Sequence, residues 1–312
     1  MQGSSGQLPM RGGLVVPPLR GGLVVVDKPA GLTSHDVVAR VRRLAGTKRV
    51  GHAGTLDPMA TGVLLVGIGR ATRLLGHLAL HDKDYAATMR LGQTTSSDDA
   101  EGEVVASTPA GRLTRDAVAK AVARFVGEIK QRPPAVSAIK VDGKRAYART
   151  RAGEDVVLAE RTVVVSRFDV IAVRPVADIP DGALLDVDVE VTCSTGTYIR
   201  ALARDVGEVL GVGGHLSALR RTRVGAFDLT GARTLAELEA DLTITPLDQV
   251  AAATFVRRDV DADEAAALSH GGTLPPSGMG DVAVAAFGPG DVFIALLEDR
   301  DDRARTLAVF VD

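Results

Sequence analysis

The stretch that most constrains this chain is residues 51–65, which read GHAGTLDPMATGVLL and place one carboxylate among glycines and a proline. Gly54 and Gly62 permit backbone conformations that a side chain forbids. Pro58 fixes the backbone directly after Asp57 and disfavours helical angles at the acid itself. The apolar run that follows is typical of a buried strand. Asp57 therefore either caps a turn, as Asp before Pro often does, or is a catalytic group held by a rigid loop.

Charge is distributed unevenly along the 312 residues, although the formal net charge is only −2. Taken alone, that value argues against a strong nucleic-acid binder. Residues 11–75 hold ten Lys and Arg against three Asp, and residues 130–151 hold seven against one. Residues 240–312 hold five against thirteen Asp and Glu. Because local patches set phosphate affinity, a polyanion is expected to contact the first two regions and to be repelled by the last.

Cys193 is the single cysteine, which excludes an intramolecular disulfide and a cysteine-rich zinc site. It is expected to be a buried strand residue without a catalytic role. No apolar run approaches ~20 residues, so no transmembrane helix is expected, and the Gly- and Ser-rich start lacks the pattern of a signal peptide. A reduced, cytoplasmic location is therefore expected.

The hydrophobic patterns predict a flexible tail over 1–21, in which RGGLVV at 11–16 is repeated at 20–25, and an ordered domain over 22–245. Within it they predict a strand at 23–26, a helix capped by Thr33 or Ser34, a helix beginning near residue 69, a strand at 83–91, a polar loop at 94–102 and a helix at 114–126. Strands at 163–173, 184–193 and 216–222 follow, with helices ending at 210 and spanning 234–242. In the strand at 184–193, Asp186, Asp188 and Glu190 are predicted to point outward. Strands and helices mix without regular βαβ alternation, which indicates an α+β fold around a mixed, mostly antiparallel sheet.

Two further segments stand out by composition. Residues 133–160 carry few regular patterns but many cations, among them Lys140, Lys144 and Arg145. A loop of this length is usually functional, so it is expected to be a mobile basic arm laid on the main body. Residues 250–312 are predicted to form short strands and one helix, and thus a small, separate β-rich module.

Several classes of chemistry lack sequence support. The chain contains no Walker loop and no dinucleotide fingerprint, and its six histidines do not have the spacing of zinc ligands. A Ser-His-Asp mechanism stays possible, but no nucleophile-elbow motif supports it. What remains is one acid in a rigid loop, a few tyrosines, an arginine near one of them and basic surface. This set suits cofactor-free chemistry on a nucleic-acid base that is stacked in a dry pocket.

Six motifs in one order resemble those of the TruB-type tRNA pseudouridine-55 synthases over about residues 22–235. They are VDKP at 26–29, residues 51–65, KDY at 83–85 with LG at 91–92, SAIK at 137–140, STGTYIR at 194–200 and LRR at 219–221. The resemblance implies a pseudouridine synthase fold, no cofactor and no metal. It implies isomerisation of one uridine in the T-arm stem-loop of tRNA to pseudouridine, by cleavage of the glycosidic bond, rotation of the base and formation of a C–C bond.

The resemblance also implies roles for individual residues. Asp57 would be the catalytic aspartate and act on the ribose, either as nucleophile or as base. Tyr85 would stack on the target base and assist removal of its proton, with Tyr198 on the other side. Arg200 would pair with Asp57, and Leu219 would form an apolar wall. The ordinary alternatives are core tyrosines, a solvated arginine at a helix start and a core leucine.

Two more residues are implied to support the site. His52 would lie beside the flipped base and the RNA loop. The alternative, of nearly equal weight, is a structural histidine that is hydrogen-bonded within the fold. Lys28 would brace the Asp57 loop from behind, a structural rather than a catalytic task. Residues 250–312 match the size and strand content of the PUA-like module that often ends family members. Their acidity leaves a contact with RNA in doubt.

Three hypotheses follow from the sequence. The first is a stand-alone synthase that acts as a monomer on the T-arm of tRNA. The second is a tRNA-binding folding factor in which catalysis is secondary. The third is a guide-RNA-dependent pseudouridine synthase, against which the length of the 133–160 segment argues.

Overall fold

The computed structural model describes residues 21–134, 140–141, 144–145, 158–176 and 182–311. The predicted tail over 1–21 lies outside these ranges except for Gly21, as does most of the predicted arm. Of the arm, the backbone at Lys140–Val141 pairs with that at Lys144–Arg145 in a short antiparallel hairpin. No helix in the described part of the chain is long and apolar enough to cross a bilayer.

The described residues form eighteen strands and seven α-helices, with a 3-10 turn at Arg70–Arg73. The strands are β1 (Gly21–Lys28), β2 (Val50–Ala53), β3 (Thr61–Gly69), β4 (Lys83–Leu91), β5 (Gln93–Thr95), β6 (Val104–Ser107), β7 (Gly127–Gln131), β8 (Lys140–Val141), β9 (Lys144–Arg145), β10 (Arg161–Pro175), β11 (Leu185–Cys193), β12 (Gly214–Val224), β13 (Phe227–Asp228), β14 (Thr245–Pro246), β15 (Val256–Asp259), β16 (Val284–Gly288), β17 (Val292–Arg300) and β18 (Arg303–Val309). The helices are α1 (Ser34–Leu44), α2 (Leu75–Leu78), α3 (Arg115–Ala123), α4 (Ile199–Val209), α5 (Leu235–Ala240), α6 (Leu247–Thr254) and α7 (Ala262–Ser269).

The main sheet has the strand order β14-β1-β3-β12-β4-β11-β10-β7, with β2 and β13 paired at its side. Among the described strands of this sheet, only the short contact of β12 with β3 is parallel. The predicted α+β fold with a mixed, mostly antiparallel sheet is therefore confirmed. A smaller sheet of order β15-β16-β17-β18, with α7 beside it, forms the β-rich C-terminal part.

Strands β1 and β3 are buried on both faces. Their even-numbered residues, such as Val24 and Leu64, pack in a core with α1, α3 and α4. Their odd-numbered residues, such as Leu23 and Leu65, pack with α6 and the C-terminal sheet, including Phe293. The near-continuous apolar runs of these strands are what burial on two faces requires.

The C-terminal sheet therefore shares a core with the main domain, whereas the sequence predicts a separate module. Polar contacts add to the apolar packing. Arg70 donates to the carbonyl of Phe310 at 2.8 Å, and Asp248 accepts the backbone N–H of Phe293 at 2.8 Å. The acidic composition of this part is compatible with docking because the contact surface is apolar.

Three local expectations need correction. The helix predicted near residue 69 is a 3-10 turn followed by the one-turn helix α2. The helix predicted over 114–126 ends at Ala123, because Gly127 has a φ of +98° and starts strand β7. Asp186, predicted to point outward, is buried because Arg90 neutralises it through two hydrogen bonds of 2.8 and 2.9 Å. The cap of α1 is Thr33, one of the two predicted candidates.

Candidate active site

The loop that carries Asp57 is fixed by contacts from α1 and β1. The hydroxyl of Ser34, at the start of α1, accepts a hydrogen bond from the N–H of Leu56 at 2.9 Å. The same hydroxyl donates to the carbonyl oxygen of Leu56 at 3.2 Å. The N–H of Ala60 donates to the carbonyl of Asp57 at 3.1 Å and closes the turn. Both residues beside the acid's turn, Leu56 and Ala60, are buried, so the loop is anchored on each side of the carboxylate.

Lys28 holds the same loop from the rear, at the end of β1. Its ammonium donates to the carbonyls of Pro29 at 2.9 Å, Leu32 at 2.6 Å and Pro58 at 3.2 Å. The side chain is fully buried, and this burial lowers its pKa to about 8. Three carbonyl acceptors occupy its three N–H groups, so the structure places Lys28 as a brace between two turns.

Gly62 is required where β3 leaves the loop. Its φ is +98°, and a Cβ there would lie 2.1 Å from the carbonyl oxygen of Arg221 on β12. A backbone oxygen cannot move aside as a flexible side chain does. The glycine therefore lets β12 approach the Asp57 loop at the point where the two strands pair in parallel.

Asp57 forms a two-point ion pair with Arg200 near the start of α4. Arg200 Nη2 lies 3.1 Å from Oδ1 of Asp57, and Nε lies 3.0 Å from Oδ2. Both carboxylate oxygens thus face the guanidinium instead of capping a turn. Burial raises the pKa of the Asp57 carboxyl, and the Arg200 guanidinium opposes part of this rise. The Asp57 side chain keeps 33% of its surface exposed, whereas that of Arg200 keeps 5%.

Asp99 is a second carboxylate on Arg200 and was missed by the sequence analysis. Arg200 Nη1 lies 3.1 Å from Asp99 Oδ2 and donates to the carbonyl of Ser97 at 2.9 Å. One helical turn later, Arg204 pairs with Asp98 at 3.0 Å. The loop over 94–102 thus pairs with two arginines that are four residues apart on one face of α4. The run of acidic residues in this loop was the sequence signal from which such a pairing could have been predicted.

The side chains of Asp57 and Arg200 line a pocket of about 280 Å³. Tyr85, Tyr198 and Leu219 line it as well, so the structure brings together five of the seven residues that the sequence analysis assigned around the base. Lys28 and His52 do not line it.

Tyr85 on β4 and Leu219 on β12 contribute to the inner part of the pocket. Tyr85 is buried and lies opposite Arg221 in the β4–β12 ladder. Burial raises the pKa of the Tyr85 hydroxyl, and Arg221 opposes the rise by charge and hydrogen bonding. Leu219 is 8% exposed and lies opposite Ala87 in the same ladder. An aromatic ring and an aliphatic side chain thus offer apolar surface to a planar ligand.

Tyr198, half-buried just before α4, lies at the more open side of the pocket. The side-chain amide of Gln131 at the end of β7 accepts the N–H of Tyr198 at 2.8 Å and donates to its carbonyl at 3.1 Å. The guanidinium of Arg161 stacks over the Tyr198 ring at 5.3 Å from its centroid. The backbone and the ring are thus fixed by separate partners, neither of which the sequence analysis assigned.

His52 lies on β2, beside the loop and outside the pocket lining. Its ring meets that of His35 edge to face, with centroids 5.4 Å apart. Burial lowers the pKa of His52, and His35 and Arg221 lower it further. Burial and these two neighbours therefore favour the neutral ring beside the loop.

Two buried cations complete the lining and were not predicted. Lys83 at the start of β4 and Arg221 on β12 both line the pocket, at 6% and 1% exposure. The sequence feature that could have identified them is the alternation of side chains along each strand. It places Lys83 on the same face as Tyr85, and Arg221 on the same face as Leu219. Cys193, as expected, is buried in its strand, and burial raises the pKa of its thiol to about 11.

The arrangement therefore offers a carboxylate held by an arginine, an aromatic and aliphatic slot, and a cationic inner end. The side chains of Lys140, Lys144 and Arg145 lie outside the described residues, so the structure does not relate them to the pocket. Within the described ranges, no group of three or more His, Cys, Asp or Glu side chains is arranged to hold a metal ion.

Comparison with protein families gives three matches along the chain. Residues 42–199 match the TruB family pseudouridylate synthase N-terminal domain. Residues 200–257 match the tRNA pseudouridylate synthase B C-terminal domain, and residues 255–311 match the C terminus of tRNA pseudouridine synthase II.

Individual relatives and solved structures agree with these matches. The chain is 57% identical over 284 residues to a tRNA pseudouridine synthase B from Thermobifida fusca, covering 91% of this chain and 96% of the relative. It is 56% identical over 288 residues to one from Streptomyces coelicolor, covering 91% and 95%. A solved Cbf5-Nop10-Gar1 complex contains a chain that is 27% identical, with a TM-score of 0.71 and coverage of 94% of this chain and 86% of that one.

Proposed function

We propose a function for this site from one premise: the chain belongs to the TruB family of pseudouridylate synthases. As an isomerase of this family, it converts uridine in tRNA to pseudouridine. We propose further that the target is the T-loop uridine at position 55 and that Asp57 carries out the chemistry.

The observation that carries the assignment is the two-point pair of Asp57 with Arg200 at the edge of an aromatic and aliphatic pocket. An acid held in this way keeps one orientation, and the guanidinium favours its ionised form against burial. The exposed third of the Asp57 side chain gives it access to a ligand. Arg200 is itself fixed by Asp99 and Ser97, so the geometry exists before substrate binds.

The reaction exchanges one bond of C1′ for another. The bond from C1′ of the ribose to N1 of uracil breaks, uracil rotates, and C5 forms a bond to C1′. C5 then loses its proton and N1 gains one, so the product is an isomer of the substrate. Asp57 acts on the ribose, either by attacking an electron-poor C1′ or by removing a proton from the sugar.

The other pocket residues position the base during this exchange. Tyr85 stacks on the uracil ring and assists proton removal from C5, while Tyr198 and Leu219 confine the ring from the remaining sides. A pocket of about 280 Å³ suits one base turned out of an RNA loop and excludes a paired stem. His52 and Lys28 support the loop that presents Asp57.

The test is the Asp57→Asn variant on a T-arm stem-loop RNA. Because the amide cannot act as nucleophile or base, pseudouridine formation should fall at least about 1,000-fold, equivalent to about 4 kcal/mol of activation free energy. RNA affinity should change little. Asp116→Asn, which removes an exposed carboxylate on α3, is the matched control and should retain full activity. Turnover by Asp57→Asn near the wild-type rate would refute the assignment.

The same assay separates the competing functions. A stand-alone synthase modifies plain T-arm RNA as a purified chain. We propose that the active form is a monomer, which a measurement of its mass in solution can check. A requirement for a guide RNA would refute stand-alone recognition. A folding factor would instead promote tRNA folding in the Asp57→Asn form.

We also propose that the basic arm over 133–160 contacts the tRNA through Lys140, Lys144 and Arg145. Reversing charge in Lys144→Glu with Arg145→Glu should weaken RNA binding at least about tenfold and reduce its salt dependence, because phosphate contacts release counterions. Turnover of bound RNA should be unchanged. Lys120→Glu with Arg124→Glu, two exposed positions at the end of α3, is the control with the same change in net charge. Unchanged affinity of the double variant would refute this role.

A further inference from the structure

The inner end of the pocket carries two buried positive charges to which the proposed chemistry has given no task. Lys83 donates from Nζ to the carbonyls of Ala79 at 3.0 Å and His81 at 2.7 Å. An ammonium has three N–H groups, so these two acceptors leave one donor in a group that lines the pocket.

Arg221 is fixed by backbone acceptors in the same way. Its Nε donates to the carbonyl of Val63 at 2.7 Å, and Nη2 donates to that of Gly54 at 3.0 Å. These bonds hold the guanidinium between β3 and the Asp57 loop. A further hydrogen bond joins Arg221 to the Tyr85 hydroxyl, and donors are still left over from the five that the guanidinium carries.

Gly54 marks the place where the two cations converge. A Cβ on Gly54 would lie 3.4 Å from Arg221 Nη1 and 3.7 Å from Lys83 Cε. Without that Cβ, the space between Asp57's loop and the two cations stays open to the pocket.

Neither cation has a carboxylate within ion-pair distance among the described residues, although both are almost fully buried. Buried charges are normally paired, because desolvation without a counter-ion is costly. Backbone carbonyls supply partial negative charge only. An unneutralised positive region beside a ligand pocket therefore points to an anion that exists while ligand is bound.

The isomerisation supplies such an anion. When the C1′–N1 bond breaks, its electron pair stays on uracil, and the negative charge spreads over N1, O2 and O4. Formation of the C5–C1′ bond consumes this charge. The C5 proton then leaves and N1 takes up a proton, so the product is neutral. A group that stabilises the anion must lie beside the base, be buried, and bear positive charge.

We propose that Lys83 and Arg221 stabilise the anionic uracil between cleavage of the C–N bond and formation of the C–C bond. The proposal rests on the assignment of Asp57 and Tyr85 to this pocket. The two cations attract the detached base by charge in every orientation, so the base can rotate. Hydrogen bonds fixed to single atoms of the base would oppose this rotation.

The charge state of Lys83 makes this testable. Burial lowers the pKa of Lys83 to about 8, and the charge of Arg221 lowers it further, whereas Cys193 and Asp82 oppose the shift. Burial raises the pKa of Tyr85 and of Asp57, which also line the pocket, together with Tyr198, Arg200 and Arg221. Lys83 should therefore lose its proton above about pH 8.

The experiment measures single-turnover rates from pH 6 to about pH 9, below the ionisation of uridine N3, for wild type, Lys83→Arg and Lys83→Met. In the wild type the rate should fall above about pH 8. In Lys83→Arg this fall should be absent up to about pH 9, because a guanidinium keeps its proton. Lys83→Met should react about 100-fold more slowly at pH 7 with RNA affinity within twofold of the wild type. A basic fall unchanged in Lys83→Arg, or a Lys83→Met rate within twofold of wild type, would overturn the proposal.

A second substrate separates charge stabilisation from a packing role. Fluorine at C5 withdraws electrons and stabilises the uracil anion, so 5-fluorouridine RNA depends less on the cation. The factor by which Lys83→Met slows the reaction should be about tenfold smaller with 5-fluorouridine RNA than with uridine RNA. An equal factor for the two substrates would overturn the proposal. Asp57→Asn should be inactive on both substrates. If that variant were active, the assignment of Asp57 would fail independently of Lys83.

Discussion

The two sides of the pocket solve the problem of buried charge in opposite ways. At the Asp57 side, Arg200 lies between the carboxylates of Asp57 and Asp99, each about 3 Å from its guanidinium. At the inner end, Lys83 and Arg221 are bonded to backbone carbonyls. The difference indicates that paired charges fix geometry, whereas cations without a counter-ion leave an electrostatic field for a ligand to satisfy.

The largest expected effect on stability comes from breaking the paired side. Arg200→Met leaves Asp99 buried without its cation, so the free energy of unfolding should fall by about 3–5 kcal/mol. Adding Asp99→Asn to that variant should restore part of the loss, because the uncompensated charge is then removed. Urea unfolding of the wild type, the single and the double variants measures this. If the double variant were less stable than Arg200→Met alone, pairing would not be the cause.

The next effect tests how the two sides are joined. Gly62→Ala places a Cβ 2.1 Å from the Arg221 carbonyl, which would push β12 and its cation away from the Asp57 loop. Stability should fall by more than about 2 kcal/mol, and activity should fall with it. Gly31→Ala is the matched control, since Gly31 also has a positive φ, +82°, but meets nothing within 4 Å. That variant should lose about 1 kcal/mol, and equal losses would show that the close approach is unimportant.

The smallest effect concerns the proton of Asp57. Asp99 raises the pKa of the Asp57 carboxyl, so Asp99→Asn should lower that pKa. Asp57 must be ionised to act, and the activity that disappears as pH falls through its pKa should therefore persist to lower pH in the variant. The rate at pH 7 should fall about tenfold because Arg200 loses one of its anchors. A pH–rate profile checks both, and an acid limb displaced to higher pH would contradict the electrostatic account.

Much of this architecture could be predicted from sequence. The strand at 83–91 that carries Tyr85 was predicted, the cap of α1 is one of the two candidates Thr33 and Ser34, and the Asp57 loop was recognised by its Gly and Pro pattern. The juxtaposition of Asp57 with Arg200, 143 residues apart, followed from resemblance because no local pattern contains it.

The unassigned residues share a physical reason. Lys83, Arg221 and Asp99 are charged, and charged side chains are rarely buried, so sequence reasoning places them on the surface. Lys83 is bonded to carbonyls two and four residues earlier, whereas Arg221 relies on carbonyls 158 and 167 residues earlier and Asp99 on a helix that begins a hundred residues later. Alternation indicates the strand faces of Lys83 and Arg221, but the long-range contacts of Arg221 and Asp99 are set by tertiary structure and leave no periodic signature.

The burial of β1 and β3 on both faces has a consequence for how the two parts of this enzyme unfold. The same two strands support the Asp57 loop on one side and receive the C-terminal phenylalanines on the other. Neither part can loosen without exposing apolar surface of the other, so the two should behave as one cooperative unit. We therefore expect truncation of the C-terminal sheet to lower activity, because the strands from which the Asp57 loop emerges would lose their packing.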